Sequence, residues 1–315
     1  MKRVLVTGGS GFIGSNLVKK LLEKKYEIVI FDNGFRKGFG KVEEFNDKVT
    51  LVKGDVLNIH DWKKLPNDID QVFHLAAING TKYFYDIPDK VLEANVIGTF
   101  NCLKWISNTN AKKIFFASSS EVYGFPEIFP TPETEALKIP DPHNERFSYS
   151  SSKIMGEVIT INFAKKIGID FSIARFHNVY GPDMGFEHVI PEFIRKCVRD
   201  EKFIVQGSGD ETRSFCFISD AIDGVLLITD KKQMQNQIFN IGTNEEIRIG
   251  DLIPILEKIH GSKISPTYKP FVKAGTKRRI PDISKIKKLG YSPKILIEEG
   301  LKISYDWYKN YYSKN

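Results

Sequence analysis

Two short segments of the chain carry side chains that can move a proton. Tyr149 and Lys153 are four residues apart in "YSSSK", and Ser119, Ser120 and Glu121 stand together in "ASSSEVYG". On one face of a helix, a lysine beside a tyrosine favours the phenolate and lowers a phenol pKa that is ordinarily about 10. The pair would then act as a base toward a substrate hydroxyl. On its own the YxxxK spacing is a weak indication, because it is common by chance.

A glycine-rich segment indicates a second ligand. In "VLVTGGSGFIGSNL", Gly9, Gly11 and Gly14 form a GxGxxG arrangement, and Gly8, Gly11 and Gly14 also fit the TGxxGxxG variant. The segment follows a predicted strand and opens a predicted helix, where glycines allow backbone N–H groups to approach a pyrophosphate. It therefore predicts a dinucleotide-binding turn, with a glycine-rich turn that binds nothing as the alternative.

Asp32 indicates which dinucleotide is bound. It ends the second predicted strand, where a carboxylate accepts hydrogen bonds from a ribose 2′-hydroxyl and repels a 2′-phosphate. This favours NAD. Arg36 and Lys37 keep NADP open, because a nearby arginine is what a 2′-phosphate needs.

The elements that must position these residues follow a regular alternation. Amphipathic segments separate short β-branched or aromatic runs, and Ile13, Leu17 and Leu21 form an apolar stripe after the first run. The alternation predicts a parallel sheet covered by helices on both faces. The runs are "RVLVT", "EIVIF", "VTLV", "QVFHL", "KIFFA" and "DFSIAR".

Composition narrows the class of protein. The chain has 315 residues, is 41% hydrophobic and 27% charged, and carries a formal net charge of +7. The excess favours anionic ligands, but the basic residues are scattered and no stacking aromatics lie among clustered ones, which argues against nucleic-acid binding. Cys102, Cys197 and Cys216 have neither disulfide nor zinc-site spacing. No apolar run approaches a membrane span, so we expect a cytoplasmic protein without a metal.

The second half of the chain has a different character. Beyond residue 175 the alternation gives way to loops rich in glycine, proline and charge, such as "GPDMGFEHVIPEF" and "QGSGDETRSF". Loops of this kind on a rigid scaffold usually shape a substrate site. The sequence therefore predicts one large unit or two closely joined domains.

In their order and spacing, the motifs resemble the extended short-chain dehydrogenase/reductases, the family of NAD-dependent nucleotide-sugar epimerases and dehydratases. The glycine turn, Asp32, "KGDV" with Asp55, "HLAA" at 74 to 77, Asn95 in "NVIGT", the serine run and YxxxK carry this resemblance over essentially the whole chain. It implies an α/β fold: a Rossmann domain with a doubly wound parallel sheet at 1–175, to which some later segments return, and a smaller C-terminal α/β domain at 176–315 for a nucleotide-sugar.

The resemblance also implies roles for single residues. Ser119 would hydrogen-bond the reacting sugar hydroxyl, Tyr149 would deprotonate it, and Lys153 would assist Tyr149 and hold a cofactor ribose. Glu121 stands where dehydratases and decarboxylases of the family keep an acid/base glutamate, although it could also only order its loop. The implied NAD-binding residues are Gly8, Gly11, Phe12, Ile13, Gly14, Asp32, Asn33, Asp55, Val56, Leu75, Ala76, Ala77, Asn95, Tyr149 and Lys153.

The substrate is less sharply indicated. The segments "RFHNVYGP", "GDETRSFCFISD" and "EEGLKISYDW" look most like GDP-mannose 3,5-epimerases and GDP-manno-heptose C4-dehydrogenase-like enzymes. This likeness implies oxidation at C4 of a GDP-linked manno-configured hexose or heptose, by a C4-dehydrogenase or epimerase that serves a capsule or lipopolysaccharide. Whether the 4-keto sugar is then released, epimerised or decarboxylated stays open. Glu121 and His188 replace the cysteine and lysine that act as acid and base in the 3,5-epimerases. The implied substrate-binding residues are Ser119, Ser120, Asn178, His188, Arg213 and Arg279.

Three alternatives stay open. One is a UDP-glucuronate decarboxylase or UDP-sugar 4-epimerase, and another is a protein that binds NAD without catalysis, as a sensor or scaffold. In the third, His188 and Arg213 are only structural. The resemblance further implies a homodimer formed through the helices near 90 to 106 and 149 to 166.

Overall fold

The computed structural model describes residues 2–36, 38–270 and 276–314. Its strands are β1 Arg3–Thr7, β2 Glu27–Asp32, β3 Val49–Lys53, β4 Gln71–His74, β5 Lys113–Ser119, β6 Asp170–Phe176, β7 Val179–Tyr180, β8 Ile204–Gln206, β9 Thr212–Arg213, β10 Cys216–Phe217, β11 Gln237–Ile241, β12 Ile247–Arg248, β13 Thr267–Lys269 and β14 Arg278–Arg279. Its α-helices are α1 Phe12–Glu23, α2 Gly40–Glu43, α3 Ile59–Trp62, α4 Thr81–Asp86, α5 Pro88–Leu92, α6 Gly98–Ile106, α7 Phe147–Ile167, α8 Val189–Val198, α9 Ile218–Asp230, α10 Leu252–His260, α11 Ser284–Lys287 and α12 Ile297–Lys314.

Seven strands form one sheet in the order β11-β6-β5-β4-β1-β2-β3. β1 pairs in parallel with β2 and β4, β2 with β3, and β4 with β5. From β1 the chain winds outward in one direction through β3 and then in the other from β4, so the winding reverses between β1 and β4. This confirms the predicted doubly wound Rossmann sheet, in which ligands bind at the carboxyl ends of the strands beside the reversal.

The central strands β1, β4 and β5 are continuous apolar runs and are largely buried, whereas the edge strand β3 is partly exposed. Val4, Leu5 and Val6 of β1 have no exposed surface, and neither do Leu17 and Leu21 on the facing stripe of α1. Each fully buried side chain of this size contributes about 1.5 to 3 kcal/mol of transfer free energy. This packing holds the turn between β1 and α1 in place.

Two helical segments near the predicted catalytic residues have features that the sequence alone does not define: the end of α7 and an interruption between α5 and α6. The 21-residue α7 ends at Gly168, whose φ of +74° is the left-handed conformation that glycine adopts without strain. The predicted helix near 90 to 106 is interrupted: α5 ends at Leu92, and a π-helical turn over Glu93–Ile97 precedes α6. Turns of this type often lie at functional sites.

The chain forms two compact units. The first consists of Met1–Gly124, Leu137–Arg175 and Ile222–Phe239, and the second of Phe125–Ala136, Phe176–Ala221 and Asn240–Asn315. The predicted domains 1–175 and 176–315 differ from these units at 125–136 and at 222–239. Which ligand each domain binds stays a prediction. Within the described residues, none of the helices is both long and apolar enough to cross a membrane.

Candidate active site

The turn after β1 depends on two glycines. Gly8 has a φ of +71°, and a Cβ atom there would lie 2.7 Å from the backbone nitrogen of Ala76. A Cβ atom on Gly14 would overlap the carbonyl oxygen of Gly8, so only glycine lets the first turn of α1 approach the turn this closely. The N-terminus of α1, which favours anions, therefore lies directly behind the turn.

A cavity of about 400 Å³ opens at the carboxyl ends of β1, β2 and β4. This is the place where the reversal of the sheet predicts a ligand. The sequence-predicted cofactor residues that line it are Gly8, Gly11, Asp32, Asn33, Asp55, Val56, Leu75, Ala76 and Ala77. Its walls are mostly apolar, with the carboxylates of Asp32, Asp55 and Glu93 and the basic side chains of Arg36 and Lys90 as charged groups. The residues present thus fit a dinucleotide.

Asp32 is fixed by the backbone around it. Its two carboxylate oxygens accept hydrogen bonds from the backbone N–H groups of Ser10 at 3.0 Å and Gly34 at 2.8 Å. A carboxylate oxygen has a second lone pair, so each can still accept from a ribose hydroxyl.

Arg36, the residue that kept NADP open, lines the same cavity as Asp32. Its guanidinium donates to the carbonyl oxygen of Asn79 and lies 5.9 Å from the centre of the Tyr83 ring. It is therefore engaged with the segment after β4. Lys37 lies outside the described residues.

A buried hydrogen-bond chain positions the segment that follows β4. The Thr99 hydroxyl donates to the carbonyl oxygen of Asn95 at 2.6 Å, so it must accept from Nε2–H of His74 at 3.1 Å. Nδ1 of His74 then accepts from the Thr7 hydroxyl at 2.8 Å, which assigns the neutral tautomer. Burial, with a smaller effect of the Lys153 charge, lowers the pKa of His74 to about 3, so the ring stays neutral.

Asn95 connects this segment to α7. Its side chain accepts from the backbone N–H of Ile78 at 2.8 Å and donates to the Ser152 hydroxyl at 2.9 Å. Ser152 in turn donates to the carbonyl oxygen of Tyr149 at 2.7 Å. Asn95 thus bonds Ile78, which lines the cavity, and its predicted role toward the cofactor stays a prediction.

The structure brings Ser119, Tyr149 and Lys153 together. Tyr149 is buried, its ring stacks on Phe84 at 4.8 Å, and the Ser119 side chain lies close enough to its phenol to lower the phenol pKa. The ammonium group of Lys153 donates to the carbonyl oxygen of Ala117 at 2.7 Å and lies 5.7 Å from the centre of the Tyr149 ring. The serine hydroxyl, the phenol and the ammonium group thus converge at the end of β5.

The pKa values of Tyr149 and Lys153 differ from what the sequence predicted. Burial raises the pKa of Tyr149, and the negative charge of Glu121 raises it further, while the hydrogen bond with Ser119 and the charge of Arg36 oppose the rise. Burial also lowers the pKa of Lys153 to about 7. The predicted lowering of the Tyr149 pKa by Lys153 is therefore wrong for the protein alone, because burial weakens both charged forms.

Glu121 lies at the same place. It sits in a 3₁₀ turn over Ser120–Tyr123, and its backbone N–H donates to the hydroxyl of Ser119 at 3.3 Å. Its carboxylate lies 3.8 Å from the guanidinium of Arg146, with both side chains partly exposed. Ser120 is buried, at 3% exposure. The acid group that the motif predicted is therefore close enough to Tyr149 to act on its charge.

The predicted substrate residues of the second unit form a smaller group. Arg213 on β9 and Arg279 on β14 stand opposite each other in neighbouring parallel strands, and Arg279 is buried. Asn178 has a φ of +39° and donates to the carbonyl oxygen of Ser214 at 3.1 Å. His188 is half-buried at the N-terminal cap of α8. The structure pairs the two arginines and leaves the roles of all four as predictions.

The chain matches the family model described as "NAD dependent epimerase/dehydratase family" over residues 4–242. With the Rossmann sheet and the Ser119, Tyr149 and Lys153 group, this match shows that the chain belongs to that family of extended short-chain dehydrogenase/reductases. It is an NAD-dependent enzyme that acts on a nucleotide-sugar.

Curated relatives cover nearly the whole chain. It is 33% identical to a UDP-N-acetyl-alpha-D-glucosaminuronate decarboxylase of Bacillus cytotoxicus, over 98% of each protein, and 33% identical to UDP-glucuronic acid decarboxylase 5 of Arabidopsis thaliana, over 95% of this chain and 87% of the relative. Among solved structures, it is similar to a UDP-glucuronic acid 4-epimerase of Bacillus cereus in complex with UDP-glucuronic acid and NAD. That likeness has a TM-score of 0.90 and 30% identity, over 98% of this chain and all of the other.

Sequence reasoning missed three charged residues near the reacting groups: Arg146, Glu157 and Arg175. Glu157 follows Lys153 by four residues, so the spacing that paired Tyr149 with Lys153 could have found it. The arginines come from other parts of the chain, and only folding brings them to the site.

We expect Asp32→Ala to weaken NAD binding by about 1.5 to 3 kcal/mol, because it removes a charged acceptor of ribose hydrogen bonds. NADP binding should weaken less. Calorimetry on cofactor-free protein measures both affinities, with Asp68→Ala, a surface change away from the cavity, as control. An unchanged NAD affinity in Asp32→Ala would show that the carboxylate does not contact the cofactor.

Proposed function

We propose that this enzyme oxidises C4 of a UDP-linked hexuronate and then decarboxylates the 4-keto sugar. The observation that carries the proposal is the position of Glu121, a partly exposed carboxylate beside the Ser119 and Tyr149 pair. Oxidation at C4 alone needs the hydroxyl, phenol and ammonium groups. A further acid becomes useful when the reaction continues at the neighbouring carbon.

The first step uses the group at the end of β5. Ser119 and Tyr149 would share the hydrogen bonds of the C4 hydroxyl, with Tyr149 taking its proton and Lys153 stabilising the phenolate. When bound, NAD supplies the acceptor for the C4 hydride and a positive charge that favours a phenolate nearby. Tyr149 and Lys153 would contact the cofactor beside the glycine turn, with Asp32 and Asp55 at its far end.

The second step follows from the position of the ketone. With a carbonyl at C4, the C6 carboxylate is that of a β-keto acid: the C5–C6 bond breaks, carbon dioxide leaves, and the electron pair passes to C5 as an enolate. A proton must then be added at C5. Glu121, which is partly exposed, would take a proton from water and pass it to C5, and the hydride held by the cofactor would then reduce the C4 ketone.

The nucleotide is proposed as UDP. The decarboxylases and 4-epimerases among the relatives and solved structures are named for UDP-sugars, and several of them for uronates. This supports the UDP alternative better than the GDP-linked sugar that the segment likeness indicated. Arg213 and Arg279 would bind the diphosphate, since paired guanidinium groups suit phosphate oxygens. The chain's net charge of +7 also suits a trianionic substrate.

A 4-epimerase is the second candidate, and the likeness to a UDP-glucuronic acid 4-epimerase favours it. In that case the ketone is reduced from its other face, and Glu121 would bind sugar. A GDP-sugar dehydrogenase is the third candidate. A cytoplasmic location and a part in surface polysaccharide synthesis stay predictions.

The product formed from each sugar separates these functions. We expect UDP-glucuronate to lose carbon dioxide, as measured by mass spectrometry, while UDP-glucose and GDP-mannose stay unchanged or react more slowly. An unchanged mass with a new C4 configuration would identify the epimerase. Loss of two hydrogens from GDP-mannose, with NADH formed, would identify the dehydrogenase and overturn the proposal.

Tyr149→Phe and Glu121→Gln should fail at different steps. Tyr149→Phe removes the group that takes the hydroxyl proton, so we expect hydride transfer to slow by about 10² to 10⁴-fold while ligands still bind. Glu121→Gln keeps the shape but cannot donate a proton, so NADH should form and persist. A single turnover in D₂O, followed by absorbance and mass analysis, measures both steps.

In D₂O the parent enzyme should place one deuterium at C5, and Glu121→Gln should place it there slowly. If Glu121→Gln oxidises, decarboxylates and incorporates deuterium at the parent rate, Glu121 is not the acid. Glu23→Gln is the matched control, because it makes the same change at an exposed carboxylate on α1.

We also propose a homodimer. Leu92, Ile97, Met155 and Val158, on the helices that the family resemblance implicates, are 39% to 48% exposed. Met155→Glu should convert a dimer to a monomer in sedimentation velocity, because it would place a charge in an apolar interface. Ile128→Glu, at an apolar residue exposed elsewhere, is the control. A parent protein that sediments as a monomer at micromolar concentration would contradict the proposal.

A further inference from the structure

The active-site helix carries a buried acidic residue, Glu157, one turn beyond Lys153. Glu157 on α7 is 2% exposed, and its carboxylate accepts two hydrogen bonds from Arg175 on β6, at 2.9 Å from Nε and 2.7 Å from Nη2. Arg175 is also buried, at 3% exposure. Tyr149, Lys153 and Glu157 therefore form one buried stripe along α7 at intervals of four residues.

This ion pair holds both ends of the segment that carries the reacting side chains. The Ser118 hydroxyl donates to Glu157 at 2.5 Å, and Nη1 of Arg175 donates to the Tyr123 hydroxyl at 3.0 Å. Ser118 and Tyr123 stand directly before and after the segment 119–122, which contains Ser119 and Glu121. Any shift of α7 along β5 would break these contacts together.

A gain in folding free energy does not explain why the charged Glu157–Arg175 pair is buried between α7 and β6. Taking two ions out of water costs several kcal/mol each, and apolar residues of the same volume are often as stable. Directed, two-pronged hydrogen bonds instead fix distances between elements. Gly156 also fixes the distance between α7 and β5. A Cβ atom at this position would overlap the ring of Phe116 and push α7 away from β5.

We propose that Glu157 is a positioning residue: together with Arg175 it fixes segment 118–123 on α7, so that the Ser119 hydroxyl stays within reach of the Tyr149 phenol. The inference rests on the proposed roles of Ser119 and Tyr149. It assigns Glu157 no contact with substrate or cofactor.

The same carboxylate also acts on Lys153. The titratable groups that face Lys153 are His74 from β4 and Tyr149 and Glu157 from α7, with Arg175 from β6 behind Glu157. His74 and Tyr149 are neutral, which leaves Glu157 as the anion of this set. Its charge raises the pKa of Lys153 against the larger, opposite effect of burial. Removing that charge should therefore lower the pKa of Lys153 and discharge the ammonium group at lower pH.

The test compares Glu157→Gln with Thr160→Val. Thr160 lies on the same buried face of α7, and its hydroxyl has no hydrogen-bond partner among the described residues, so the control changes a buried polar group without breaking a contact. Glu157→Gln should lower kcat by about 10²-fold, the effect of a misplacement of about 1 Å. KM should change by less than about threefold, and the alkaline limb of the kcat profile should move down by about 1 pH unit.

A double variant tests the inference in case Glu157→Gln does not fold. Glu157→Met with Arg175→Met replaces the pair by apolar side chains, which a folded core tolerates. If this double variant is folded by circular dichroism and keeps the parent kcat and pH profile, the inference is wrong. If it is folded and shows the same loss of kcat at unchanged KM, the inference is supported. An equal loss in Thr160→Val would also overturn it.

A measurement without a sugar separates this inference from the proposed function. ¹³C-lysine NMR follows the titration of Lys153, assigned by Lys153→Met, in the parent and in Glu157→Gln. A pKa of Lys153 lower by about 1 unit in the variant supports the inference even if no UDP-sugar reacts. An unchanged titration refutes the charge effect even if the proposed reaction is found.

Discussion

The burial of the Lys153 ammonium group is the constraint on which the active site depends. An ammonium group taken out of water is costly unless other groups replace the water. Here the carbonyl oxygen of Ala117 accepts from it at 2.7 Å and the ring of Phe116 lies 5.0 Å away, so the end of β5 supplies most of that replacement. The site can therefore form only if α7 lies directly on the end of β5. Gly156 and the Glu157–Arg175 pair keep it there.

The predicted cofactor-binding end of the site is held by backbone contacts and neutral hydrogen bonds. The reversal of the sheet between β1 and β4 opens a crevice, and the backbone of the glycine turn lines it. Gly8 lets that backbone touch Ala76, while the chain from Thr7 through His74 to Asn95 fixes the segment opposite. One end of the site is thus built from backbone and buried neutral groups, and the other from a charged helix face. Ser152, which bonds both Asn95 and the carbonyl oxygen of Tyr149, joins them.

Much of this arrangement was predictable because it follows from local patterns. The six apolar runs became strands, and the glycine spacing, Asp32 and the YxxxK pair pointed to the Rossmann fold, NAD and the position of the phenol. The seventh strand, Gln237–Ile241, was missed because it lies in the half of the chain where the regular alternation of apolar runs and amphipathic segments is lost. The π-helical turn at Glu93–Ile97 was missed because one wider turn barely changes the spacing of apolar residues along the sequence.

What the sequence could not predict depends on the tertiary environment. The expected lowering of the Tyr149 pKa was wrong because the extent of burial is set by Phe84, which is distant in sequence. Arg175 is likewise brought to Glu157 only by the sheet. The GDP prediction rested on whole-segment likeness, whereas recognition of a base depends on a few hydrogen bonds from loops, and the relatives now favour UDP.

The central claim is that Ser119, Tyr149 and Lys153 promote oxidation of the sugar at C4, with NAD as the hydride acceptor. The most direct measurement is a single turnover with UDP-glucuronate that carries deuterium at C4, followed by NADH absorbance and product mass. The account predicts that NADH forms transiently and more slowly than with unlabelled sugar, and that the deuterium returns to C4 of the product. Equal rates for both sugars, with no transient NADH, would contradict it.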